Sequence, residues 1–253
     1  MSTPKESKNV RRDRLAADRA AAAAADRRRR RIFTAVGVVV VAFVVVGTGI
    51  AVQASRNDTS QAALPATVTE PGGPIVRNPD TTEVPVLDYW EDFQCPACKD
   101  MEVATGDAIR TMVAAGEVQV RYHMLSFLDG RLGNNSSKES ANAFACSADA
   151  GKQGEYHETV YANQPATEGD GFTQEQLLLF GTEVGITGDA FSTFSSCVTD
   201  LTYGDYVTSV QTAGSTQAIV STPTVFLDGT ALDPTVSFDP VALTKAVNDA
   251  AAS

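Results

Sequence analysis

The chain has 253 residues, of which 43% are apolar and 7% aromatic, a composition that excludes a wholly disordered protein and leaves room for one globular domain rather than two. Its net charge of -11 is unevenly spread, because residues 1–31 hold 11 Lys and Arg against 4 Asp and Glu, leaving 9 against 27 and a net of -18 for the remainder. So acidic a body repels phosphates, which excludes nucleic acid as a partner of the folded domain.

The basic residues 1–31, with alanines from 20 to 25, read as a solvated cytoplasmic tail. Arg27 to Arg31 then abut a run of 21 residues, 32–52, without a single charge. About 20 apolar residues at 1.5 Å rise span a bilayer, and clustered arginines keep their flank cytoplasmic, so the run is expected to be a transmembrane anchor with the body outside the cytoplasm. A buried core helix is one alternative. The h-region of a cleaved signal peptide is another, since small residues surround Val52-Gln53-Ala54. Anchor and signal peptide both export the body. Residues 53–65 are polar and small enough for a linker, which leaves 66–253 as the folded domain.

Within that domain, Pro71-Gly72-Gly73-Pro74 marks a turn. An apolar, aromatic stretch over 84–93 predicts a strand that ends at Gln94-Cys95-Pro96-Ala97-Cys98. A helix is expected to follow to about 115, with Pro96 at its first position, where a missing N–H costs nothing, and Gly116 closing it. Residues 118–127 predict a second strand. Ser136 and Glu139 stand at capping-box spacing before Ala141, Phe144 and Ala145, which predicts a helix there. Further helices are expected over 173–184, 189–198 and 203–213. Strand character returns at 224–227, Asp228-Gly229 suits a hairpin turn, and 239–251 reads as a closing helix.

A Cys-x-x-Cys pair in an exported protein has three candidate uses: redox catalysis, a structural disulfide or half of a metal site. A cysteine at a helix N-cap faces free backbone N–H groups and the positive end of the helix dipole, and both favour thiolate. Cys95 is expected in that place, as nucleophile, with Cys98 one turn inside the helix as the resolving thiol. Zinc would require all four cysteines, because no second Cys-x-x-Cys exists and the two histidines stand apart, so no metal is expected.

The segment Asp92-Phe93-Gln94-Cys95-Pro96-Ala97-Cys98-Lys99 resembles the active-site segment of the DsbA-like branch of the thioredoxin superfamily. Ser221-Thr222-Pro223-Thr224-Val225-Phe226-Leu227-Asp228-Gly229 resembles that family's cis-proline loop, strand and turn. The likeness runs from about residue 66 to the end. It implies an α/β thioredoxin-like fold with a helical insertion at about 136–213, and a cis Thr222-Pro223 peptide lying against the cysteine pair. An ordinary trans proline at a strand start is the alternative. The implied active-site loop residues are Pro96, Ala97, Thr222 and Pro223.

The implied activity is thiol-disulfide exchange, in the direction of a dithiol oxidase for exported proteins, with no cofactor of its own. The implied partners are reduced exported proteins and a quinone-linked reoxidase in the membrane. A reductase or isomerase on the same pair is the nearest alternative, and a membrane-tethered peptide-binding module of the same fold is an alternative of another class. The sequence departs from the family pattern in Pro96-Ala97 between the cysteines. It departs again six residues before Cys95, where Tyr89 replaces an acid and leaves Asp88 and Glu91 nearby as candidates for proton transfer with Cys98. Lys99 stands where its charge would favour a thiolate.

Cys146 and Cys197 remain, and an even cysteine count in an exported protein invites a structural disulfide between them. Closing a loop of about 50 residues stabilises by roughly 4 kcal/mol in the chain-entropy view. Two buried free thiols are the alternative. His123, in a strand-like stretch, and His157, in an aromatic helical one, read as packing or surface residues. Trp90, Phe93, Phe127 and Phe226 read as core or groove-lining aromatics.

Overall fold

The computed structural model describes residues 62–252, which lie within one compact unit, Thr59–Ser253. The tail, the apolar run over 32–52 and most of the linker lie outside the described residues. Among the described residues, no helix is long and apolar enough to cross a membrane.

In chain order the elements are β1 (Ile75–Val76), β2 (Val86–Glu91), α1 (Pro96–Ala115), β3 (Gln119–Met124), α2 (Phe127–Leu132), α3 (Ser136–Asp149) and α4 (Gln153–Ala162). There follow α5 (Gln174–Glu183), α6 (Gly188–Thr199), α7 (Gly204–Thr216), β4 (Thr224–Leu227), β5 (Thr230–Ala231), α8 (Pro234–Ser237) and α9 (Pro240–Ala251). The strands form one mixed sheet in the order β1-β3-β2-β4-β5. Among the described residues only the β2–β3 pairing is parallel, and α1 supplies the crossover that a parallel pair requires.

This topology brings two distant segments together. The chain leaves the end of β2 directly into α1, so Cys95 sits where strand gives way to helix. β4 runs antiparallel to β2 with Trp90 opposite Thr224, so the residues just before β4 arrive beside that same junction. Cys95 and Thr222, 127 positions apart in the sequence, thereby become neighbours.

Side chains alternate along β2, which places Tyr89 and Glu91 on one face and Asp88 and Trp90 on the other. On the second face Trp90 is buried and stacks on His123 with ring centroids 3.9 Å apart. α7 presses against it at Gly214, where a Cβ would come within 2.9 Å of Leu125 and 3.2 Å of Trp90, so no side chain fits. On the first face Phe93, Phe144, Tyr122, Tyr161 and His157 form a ring cluster with neighbouring centroids 4.4 to 6.1 Å apart. Truncating a ring as buried as Phe93 costs about 3–5 kcal/mol.

Local signals account for most boundaries. Cys95 is the N-cap of α1 with Pro96 in the first turn, and the left-handed Gly116 closes it. Thr173 forms a reciprocal capping box with Gln176 at α5. Asp228 and Gly229, at φ of 49° and 76°, make the two-residue turn that pairs Leu227 with Thr230.

Two expectations are corrected. β3 ends at Met124 instead of running to 127, because β2 ends at Glu91, whose carbonyl accepts the Leu125 N–H at 2.7 Å, and Phe127 opens α2. The capping box of Ser136 and Glu139 does not form. Ser136 is the first residue of α3 and its hydroxyl accepts the Phe172 N–H, while Asp129 caps the helix from outside by accepting the N–H groups of Ser137 and Lys138 at 2.8 and 3.0 Å.

Candidate active site

Cys95 and Cys98 are both free thiols, but their surroundings differ. Cys98 is fully buried and Cys95 is 8% exposed, while Pro96 between them projects into solvent and Ala97 is half-buried. The thiol of Cys95 is lowered to about 6. Its hydrogen bond with the Cys98 thiol is the main cause, helped by Thr222 and by the backbone N–H groups of Cys98 and Ala97, and opposed by burial. Burial pushes the Cys98 thiol well up, and its contact with Cys95 and the charge of Glu91 add to that. One sulfur is therefore a ready thiolate at neutral pH and the other a protected thiol.

The Thr222-Pro223 peptide is cis. The Cys95 thiol donates to the Thr222 carbonyl at 3.4 Å, so the loop before β4 lies directly against the reactive sulfur. Beside it Val220 is 88% exposed. Cys146 of α3 and Cys197 of α6 are joined in a disulfide with Cα atoms 5.9 Å apart, and so belong to the helical part of the fold rather than to this junction.

Of the groups considered for proton transfer, each has an internal partner or none. Asp88 Oδ1 lies 3.1 Å from His123 Nε2 on the Trp90 face. The Tyr89 hydroxyl is buried without a hydrogen-bond partner among the described residues. Glu91, on the Tyr89 face, has Oε2 2.7 Å from His157 Nε2, both residues being buried, and its Oε1 has no partner. Burial pulls the His157 imidazole down, but the Glu91 and Glu102 carboxylates together outweigh it and hold the ring above its ordinary value. His157, read from sequence as packing or surface, is thus the charge partner of a carboxylate near the redox pair. Its distance of 66 residues from Glu91 left no local signal.

A second polar group supports the segment before Cys95. Asp92 accepts from Ser137 Oγ at 2.6 Å, from the Gln94 N–H at 2.9 Å and from the Leu128 N–H at 3.1 Å. Burial raises its carboxyl to about 7 in spite of these bonds. Gln94 Nε2 reaches Asp129, Asn134 and Ser137 at 2.8 to 3.0 Å, which ties the residue preceding Cys95 to α2 and α3. Lys99 does not reach a thiol, since its Nζ donates to the Gln164 carbonyl at 3.1 Å. Among the described residues no three His, Cys, Asp or Glu side chains are grouped as a metal site.

A redox-spaced cysteine pair at a strand-to-helix junction, facing a cis-proline loop across a mixed sheet, coincides with a sequence match to the family described as Thioredoxin over residues 78–249. The chain belongs to the thioredoxin family. No curated protein matches it by overall sequence. Solved structures with the same fold include the reduced form of a disulfide bond oxidoreductase, DsbG, from Mycobacterium tuberculosis, with a TM-score of 0.60 and 24% identity over 72% of this chain and 89% of that one. Oxidised DsbA from Mycobacterium tuberculosis gives 0.57 and 24% over 77% and 90%. MdbA, a thiol-disulfide oxidoreductase from Actinomyces oris, gives 0.63 and 20% over 74% and 89%. This thioredoxin family member therefore has the fold of the DsbA-like proteins.

Proposed function

We propose that the protein is a membrane-anchored thiol-disulfide oxidoreductase that donates disulfides to exported proteins through Cys95 and Cys98. The observation that carries this reading is the division of labour in the pair: a Cys95 that keeps a small exposed edge and is lowered to about 6, and a fully buried Cys98 that is raised. Stabilising one thiolate stabilises the dithiol form, and a stabilised dithiol makes the corresponding disulfide a stronger oxidant. The DsbA-like fold, shared with solved thiol-disulfide oxidoreductases, supports disulfide exchange at this pair.

In the oxidised protein a client thiolate attacks Cys95 Sγ, forming a client–Cys95 disulfide and releasing the Cys98 sulfur as a thiolate, which its buried site favours as the protonated thiol. A second client thiolate then attacks the client sulfur of the mixed disulfide and releases Cys95 as a thiolate. The client leaves oxidised by two electrons and the enzyme reduced by two. Cys95 suits the leaving-group role because its thiolate is stable at neutral pH. The Thr222 carbonyl and its cis-proline neighbour offer backbone for an extended client strand beside Cys95.

The apolar run over 32–52 with its arginine flank supports an anchor and an extracytoplasmic domain, and a quinone-linked membrane reoxidase fits as the electron acceptor. The test is the equilibrium of the detergent-solubilised full-length chain with glutathione redox buffers, read by alkylation of Cys95 and Cys98. A potential of about -120 mV fits disulfide donation, and one of about -270 mV makes the protein a reductase. Absence of any exchange would leave the fold as a peptide-binding module.

A further inference from the structure

Outside the pair and the cis-proline loop, one residue contacts the redox segment at three points. Gln164 follows α4, its side chain is 7% exposed, and its Nε2 donates to the carbonyls of Phe93 at 2.8 Å and Cys95 at 2.9 Å. Its own carbonyl accepts from Lys99 Nζ at 3.1 Å. We propose that Gln164 is a positioning residue that fixes the Cys95–Pro96 peptide and thereby sets how oxidising the Cys95–Cys98 pair is, an inference that rests on the redox reading above.

Residues 92–95 have left the sheet, and Pro96 has no N–H to give. The first helical bond, from the Lys99 N–H to the Cys95 carbonyl, is 3.4 Å, longer than the usual 2.9–3.0 Å. The Cys95 carbonyl is therefore weakly held by the helix and closely held by Gln164. One primary amide bridging two carbonyls two residues apart fixes both peptide planes at once.

The plane of the Cys95–Pro96 peptide sets how the first turn of α1 is aimed at Cys95 Sγ. The backbone N–H groups of Ala97 and Cys98 act on that sulfur, and their effect depends on alignment. Gln164 belongs to the run of helices between β3 and β4, 69 residues along the chain from Cys95. Those helices would then tune the redox pair as well as cover the sheet.

The experiment compares the full-length chain with Gln164→Met, which keeps the volume and loses both donors. The expected result is about a tenfold shift of the glutathione equilibrium towards a less oxidising pair, equivalent to about 30 mV, together with a higher pH midpoint for Cys95 alkylation. Asn142→Ala serves as the control for general loosening. Asn142 is a buried amide of α3 bonded to Cys197 and Tyr203, and its loss is expected to lower Tm with the redox equilibrium unchanged within twofold.

Gln164→Asn, whose amide is one methylene too short, reports the same two quantities if the Met variant does not fold. The proposal is overturned if the Gln164 variants keep the wild-type equilibrium within twofold, or if Asn142→Ala shifts it equally. A wild-type chain with no exchange would instead overturn the redox reading on which the proposal rests.

Discussion

The two cysteine pairs share one folded unit and have opposite surroundings. Cys95 and Cys98 are three residues apart at the start of a helix, so closing them orders almost no chain, and backbone N–H groups favour the open thiolate. Cys146 and Cys197 are 51 residues apart, each in the C-terminal half of its own helix, α3 and α6, and their bond staples two packed helices. A disulfide that closes a long loop is favoured because it restricts the unfolded chain, whereas one beside stabilised thiolates is easily surrendered. Location, more than residue type, separates a reactive pair from a structural one.

The largest expected effect lies at the first pair. Cys95→Ser should reduce exchange with glutathione disulfide to the background rate while leaving thermal unfolding close to wild type, and Cys98→Ser should accumulate a client–Cys95 mixed disulfide visible on non-reducing gels. Retained exchange in Cys95→Ser would break the comparison. Replacing both Cys146 and Cys197 by Ala should do the reverse, lowering stability by about 4 kcal/mol in denaturant unfolding with the redox equilibrium of the other pair kept.

Next is the buried pair on the Tyr89 face. His157→Leu strands the Glu91 carboxylate and should cost about 3 kcal/mol, whereas combining it with Glu91→Leu should recover much of the loss in a double-mutant cycle. The smallest effect is a matter of pH. Alkylation of reduced Cys95 should rise with a midpoint at about 6, and Cys98 should stay unreactive there. Because the folded reduced protein holds Cys95 below its ordinary 9.0, the stability from this group is present above pH 9 and is lost as pH falls through about 6. The oxidised form has no thiol there, so the reduced form's advantage should shrink on acidification, and parallel pH profiles for both forms would refute it.

Much of this was legible in the sequence where the signal is local. The strand into Cys95, Pro96 at the helix start, Gly116 at its end and the Asp228-Gly229 turn each follow from neighbours within a few residues. The Ser136–Glu139 spacing misled because a carboxylate from α2, Asp129, took the capping role, and spacing along one helix cannot report a cap from another. His157, Gln94 and Gln164 were missed as site residues for a related reason. Their partners lie 35 to 71 residues away, and a buried Gln or His has no sequence pattern to distinguish it from an exposed one.

By itself, then, the sequence determined which cysteines stand at a helix start, what secondary structure surrounds them and how charge and apolarity divide along the chain, because these depend on short-range sterics, capping and hydrophobic period. Tertiary structure alone decided that Thr222 meets Cys95, that Glu91 meets His157 and that Gln164 grips the Cys95 carbonyl. The physical reason is the sheet: pairing β2 with β3 on one side and β4 on the other converts sequence distance into adjacency, and burial then turns that adjacency into altered thiol and imidazole chemistry.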